Sequence, residues 1–172
     1  PEGYTLPKNT SQKICQAGQH WQWEQVSFAV LSPIVGQHYD KDNNRSCMLR
    51  VSGQGFSVLL TGDMETPAEK IVLAANHSQL ASQILVLGHH GSKTSTSPEF
   101  LAAVNPQLAI VSAGYRNQFG HPSAPVIERL NTKHITIDNT ITQGTLIYQL
   151  SPTATIQKEV WRERGHYWLN SP

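Results

Sequence analysis

Short apolar runs, each closed by a glycine, a proline or a small polar residue, set the rhythm of this chain. The first, 26–31, ends at Ser32-Pro33 and predicts a strand. Runs 46–51 and 56–61 predict two more, joined by Ser52-Gly53-Gln54-Gly55, a link suited to a β-hairpin. The pattern then changes period. Thr66-Pro67-Ala68-Glu69 reads as a helix start, with Thr66 capping, Pro67 at the first helical position and Glu69 reaching back as a capping box. That helix runs to about Asn76, and strand 83–87 follows. Ser97-Pro98-Glu99 opens a second helix that stops by Asn105-Pro106, before strand 107–112. Ser123 caps a third helix, which carries Val126, Ile127 and Leu130 on one face. Segments 134–138 and 145–150 read as strands, and 155–161 as a candidate for another. Residues 1–25 are polar and irregular, with Trp21 and Trp23 on one face if extended.

Two strands, an αβαβα alternation and a few closing strands predict an α/β (α+β) layered domain with a mixed sheet. At 172 residues the chain is one domain, long enough to bury a core. Its core is placed at about 26–150, with 1–25 and 151–172 as appendages. A formal net charge of +1 gives no general pull toward nucleic acid, so any such contact must be local. No apolar run has the length of a membrane span. The start at Pro1-Glu2-Gly3, without an initiator Met, suggests a fragment. Cys15 and Cys47 stand outside any metal-type spacing. They read as two buried free thiols or as one disulfide, which would imply an oxidising compartment.

The chemistry gathers where three apolar runs end. Gly62-Asp63 closes one, Gly88-His89-His90-Gly91-Ser92 the next, and the third leads through a loop to Gly120-His121-Pro122. Open α/β sheets keep their ligands at the carboxyl ends of strands. Asp63 is a candidate metal ligand, since its two oxygens can bridge ions; the plainer reading is a turn cap. Adjacent residues in extended backbone point to opposite faces, so one of His89 and His90 faces the site. His89 is taken as the metal ligand and His90 as a second, catalytic contact. Ser92 and Lys93 offer a hydroxyl and a charge to an anionic substrate. His121, before a helix start, suits phosphate binding or proton delivery. Asn44, in Asn43-Asn44-Arg45-Ser46, is a candidate for positioning a ligand, although a turn explains it equally well. His20, His38, His77, His134 and His166 lack such a setting. The tail residues Lys158, Trp161, Arg162, Arg164, His166, Tyr167 and Trp168 mix cations with aromatics. That mixture could bind single strands, but packing on the core is the favoured reading.

The combination LLTGD at 59–63, LVLGHHGS at 85–92 and GHPS at 120–123 resembles the ComEC/Rec2 family of DNA-uptake competence proteins. The similarity lies in the C-terminal part of that family's metallo-β-lactamase-like domain, over about 26–150. It implies part of an αββα sandwich and a metal-dependent phosphodiester hydrolase proposed to degrade the non-transported DNA strand. Asp63 would bridge the metals and His89 would ligate the second, with His121 and Ser92 near the substrate. The implied cofactor is zinc or manganese, and the implied partners are single-stranded DNA and the membrane channel portion of the same parent protein. The implied location is the periplasmic side of a bacterial inner membrane.

The family's principal metal motif, a complete HxDxDH run, is absent from this sequence. A tight site needs about three or four protein ligands. The chain is therefore expected to be the second half of the domain, inactive by itself. A half-sandwich leaves an apolar sheet face uncovered, so a homodimer, a compensating N-terminal segment or flexibility is expected. Two other readings stay open. One is a DNA-binding or assembly module with a vestigial site, and the other is a different hydrolase of the same superfold.

Overall fold

The computed structural model describes residues 13–153 and 156–161. An antiparallel meander opens it: β1 (His20–Trp23), β2 (Val26–Ser32), β3 (Met48–Gly53) and β4 (Phe56–Leu60). Gly53 pairs with Phe56, so the hairpin signal turns on Gln54-Gly55. From β4 the sheet grows in parallel through β5 (Ile84–Val86), β6 (Leu108–Val111) and β7 (Thr136–Asn139). Strand order equals chain order, β1 to β7, in one mixed sheet. The connecting helices are α1 (Thr66–Asn76), α2 (Pro98–Val104) and α3 (Ala124–Thr132). A one-turn α4 (Thr140–Gln143) precedes a separate hairpin, β8 (Leu146–Leu150) and β9 (Ile156–Val160). The mixed α/β sheet predicted from the sequence is thus the observed fold.

Repeated β-α-β steps of one hand place their helices on one face of a sheet. The core shows that layer. Leu59, Leu85 and Ala109 project from neighbouring strands onto Val72 of α1, Phe100 and Leu101 of α2, and Val126 and Leu130 of α3. The other face is apolar too. Phe28, Val30, Leu49, Val51, Val58, Leu60, Val86 and Ile110 share it by register. The segment around Cys15–Trp21 borders it at one end, where a groove of about 980 Å³ opens over Val30, Leu49 and Leu60. At the other end Leu146 and Tyr148 of β8 line an open groove together with Val86 and Ile110. Asp138 anchors that hairpin by accepting from Tyr148 Oη (2.5 Å) and Lys158 Nζ (2.5 Å).

Four local expectations are corrected. Residues 20–23 are not irregular, because β2 supplies the backbone partners that their own polar pattern does not advertise. The capping box at Thr66 does not form: Glu65 holds the N-cap position, and Glu69 turns inward to accept from the N–H groups of Thr96 and Ser97. Ser123 occupies its cap position without a side-chain cap bond, whereas Ser97 caps α2 through Phe100 N. Cys15 and Cys47 are not free thiols but form a disulfide, with Cα atoms 6.0 Å apart, tying the N-terminal segment to the start of β3. The tail residues Arg162, Arg164, His166, Tyr167 and Trp168 lie outside the described residues.

Candidate active site

Three loops meet at the carboxyl ends of β4, β5 and β6, and each carries one part of the predicted set. After β4 the chain turns through Gly62 to Asp63. The Ser46 hydroxyl accepts from Asp63 N (3.0 Å), and Gly62 O accepts from His89 N (3.0 Å). The loop after β5 is not extended. His89 (φ 48°, ψ 44°) and His90 (φ 58°, ψ 21°) both lie in the left-handed region, which side-chain-bearing residues adopt at a cost. Ser95 Oγ donates to Gly88 O (2.7 Å) and Ser92 N to His89 O (2.9 Å), which fix this shape. Gly91 (φ 80°) admits the third loop: a Cβ there would meet Pro122 Cβ at 2.9 Å, and Gly91 O accepts from Ser123 N.

This backbone sends the two histidines to different carboxylates. His90 Nδ1 lies 2.6 Å from Ser112 O, which can only accept, so Nδ1 carries the proton. Its Nε2 then faces Asp63 Oδ1 at 3.6 Å. With its one proton on Nδ1, His90 presents Nε2 as an acceptor toward a carboxylate that also accepts, an arrangement that suits a cation between them. His89 Nδ1 instead lies 3.5 Å from Glu65 Oε1, buried and without a hydrogen bond. Of the two residues expected to hold metal, Asp63 thus lies beside His90, and His89 lies beside Glu65.

His121 completes the group, its ring centroid 5.8 Å from that of His89. Its Nδ1 is also buried without a partner. Burial, and after it the charges of His89 and His90, hold its pKa below the ordinary value. Asn117 fixes its backbone, accepting from His121 N and donating to His121 O, both at 2.8 Å.

Glu65 is the member that the sequence reading missed. It accepts from Lys41 Nζ (2.7 Å) and Thr94 Oγ1 (3.0 Å), and its own N–H donates to Asn44 Oδ1 (3.0 Å). The Lys41 bond, with Thr94 and His89 adding to it, outweighs burial and holds its carboxyl below the usual range. Its place in the same short loop, two residues beyond Asp63, was the available signal. Asn44 and Ser92 join this network: both are buried, at 2% and 5% exposure, and the Ser92 hydroxyl meets Thr94 Oγ1 at 3.0 Å. Lys93 is exposed beside the histidine loop.

Asp63 and His90 offer two converging donors, short of the three or four that a tight divalent site requires. Among the described residues no group of three His, Cys, Asp or Glu side chains is placed to hold an ion. By themselves, then, these residues do not complete a metal site. The chain's nearest approach to HxDxDH is His38-Tyr39-Asp40-Lys41-Asp42-Asn43, where Asn43 takes the place of the final His. There His38 and Asp40 pair with each other on the surface (3.0 Å), and Asp42 meets Arg45 (3.8 Å).

No family model matches the chain. Among curated proteins, it is 39% identical over 91% of its length to Competence protein ComA of Neisseria gonorrhoeae. It is 40% identical over 76% of its length to Recombination protein 2 of Haemophilus influenzae, and 36% over 77% to ComE operon protein 3 of Bacillus subtilis. It spans only 22%, 16% and 17% of those relatives. A solved structure from Parabacteroides distasonis, provisionally assigned as a metal-dependent hydrolase, matches 77% of this chain and 59% of its own. Its TM-score of 0.48 and 13% identity are too loose to bear on chemistry. The three motif loops that converge in space lie on a chain that belongs to the ComEC/Rec2 family, matching a part of its members.

Proposed function

We propose that this chain is the C-terminal part of a phosphodiester hydrolase domain in a competence DNA-uptake protein, acting on the strand that is not taken up. The supporting observation is the meeting of His90 Nε2 with Asp63 Oδ1, flanked by His89, whose buried Nδ1 faces Glu65, and by the buried Nδ1 of His121, which has no hydrogen-bond partner. Such a constellation suits a divalent cation, zinc or manganese, whose remaining ligands come from outside the described residues. The chain's own residues divide the other work. His121, before the start of α3, binds the phosphate or delivers a proton to the leaving oxygen. Lys93 adds positive charge for a phosphate. Glu65, through Asn44, Lys41 and Thr94, holds His89 in orientation.

The apolar second face of the sheet supports the same reading, since a sheet apolar on both sides is built for two covering layers. The missing layer is the other half of an αββα sandwich, with a homodimer as the alternative cover. The Cys15–Cys47 disulfide supports the oxidising, periplasmic side of the inner membrane, beside the channel portion of the same protein. No described helix is long and apolar enough to cross a membrane.

The test is cleavage of single-stranded DNA by the full-length protein with manganese or zinc. Asp63→Ala is expected to lower the rate by at least about a hundredfold without changing the melting temperature, an effect of removing a metal-bridging group. The incomplete donor set favours one second reading, a binding or assembly module with a vestigial site. It predicts salt-sensitive single-strand binding, no cleavage, and no effect of Asp63→Ala.

A further inference from the structure

Between β6 and α3 the chain makes a loop that the proposed hydrolysis does not use in full. A cavity of about 320 Å³ lies against it, lined by His90, His121, Ser112, Asn117 and Phe119 among others. Phe119 stands at its edge, 70% exposed, with its ring 5.8 Å from that of His121 and inclined by only 19°. Tyr115 on the same loop is 65% exposed, and the Arg116 guanidinium lies 5.3 Å from its ring centroid. Single exposed apolar residues are ordinary on a protein surface. Two exposed aromatics and an arginine on one short loop, one ring parallel to a site histidine, form a more specific arrangement.

The loop is also braced. Asn117 donates to Gly114 O (3.2 Å) and to His121 O, and accepts from His121 N. Gly120 N donates to Asn117 O (3.2 Å), closing the turn that carries Phe119. A loop backbone held this way loses little freedom on meeting a flat ligand.

We propose that Phe119, backed by His121, is a stacking subsite for an unpaired nucleobase next to the scissile phosphate, with Tyr115 and Arg116 receiving the neighbouring nucleotide. This inference rests on the histidine cluster being the phosphodiester site. Every base has a π-face, so stacking tolerates any sequence, and a cation beside an aromatic adds attraction for the phosphate backbone. In a duplex the base faces are already stacked on one another. The subsite therefore selects single strands in a chain whose net charge gives no general attraction for DNA.

The test measures binding by fluorescence anisotropy, using the full-length protein in EDTA to prevent cleavage. One probe is a labelled thymidine octanucleotide; the other is an abasic strand of equal length and charge. The wild-type protein is expected to bind the thymidine strand roughly tenfold more tightly than the abasic one, as stacking on one aromatic implies. Phe119→Ala and Phe119→Leu are expected to erase that preference while leaving abasic binding and the melting temperature unchanged, and Phe119→Trp to retain it. The subsite is overturned, with the hydrolase reading intact, if Phe119→Leu binds thymidine as the wild type does. A loss of affinity for both strands alike in Phe119→Ala overturns it too, marking Phe119 as a packing residue for another part of the protein. Failure of the wild-type protein to bind either strand overturns the subsite together with the reading on which it rests.

Discussion

Glu65 sits two residues beyond Asp63 and engages Lys41, Thr94 and His89 with one buried carboxylate. A carboxyl held below its ordinary pKa stabilises the folded state above its unfolded value, near 4.5, and that contribution fades as pH falls through the depressed native value. Glu65→Gln is therefore expected to cost about 1–2 kcal/mol in urea unfolding at pH 7, with the deficit shrinking in acid. An equal deficit at both pH values would show that shape, not charge, is what Glu65 contributes. At this scale the sequence was legible where chemistry followed an apolar run: Asp63, His89, His90 and His121 all come together. Which histidine faces which carboxylate was not legible. The expectation assumed extended backbone, whereas His89 and His90 both turn left-handed. Asn44 and Ser92 were recognised as near the site, but only the fold reveals that Asn44 accepts from Glu65 N and that Ser92 meets Thr94, which donates to Glu65.

Helix α1 reaches the histidine loop from behind through Glu69, whose carboxylate takes the N–H groups of Thr96 and Ser97. Arg129 of α3 donates to the carbonyls of Ser95 and Thr96 on the same segment. Removing the carboxylate strands two buried donors, so Glu69→Ala is expected to lower stability by about 3 kcal/mol in chemical denaturation. A loss below about 1 kcal/mol would contradict this latch. Read from sequence, Glu69 belonged to a local capping box; a tertiary demand for an acceptor won over that local one. The β8–β9 hairpin depends on Asp138 in the same manner. Tyr148→Phe removes one donor and is expected to speed amide exchange in Leu146–Leu150 while leaving β4–β6 protected. Uniform acceleration across the sheet would mean that the hairpin is not a separate unit.

For the whole molecule, the alternation of apolar runs was enough to give the mixed sheet, since three β-α-β steps leave little topological choice. It did not give β1, whose Trp21 and Trp23 are set among polar residues and stay exposed, at 48% and 72%. The disulfide was one of two open readings, because spacing does not reveal pairing. Closing a loop of 32 residues, it is expected to contribute about 3–4 kcal/mol, so Cys47→Ser should lower the melting temperature under oxidising conditions and leave it unchanged in reductant. The larger claim is that this fold presents half of a hydrolytic centre. Asp63 and His90 face each other with too few companions among the described residues. The most direct measurement is manganese-dependent cleavage of single-stranded DNA, made side by side on these 172 residues and on the full-length protein. Cleavage by the full-length protein that depends on Asp63, with none by the shorter chain, is the predicted result. Cleavage by the 172 residues at the full-length rate, or by a full-length Asp63→Ala protein, would contradict it.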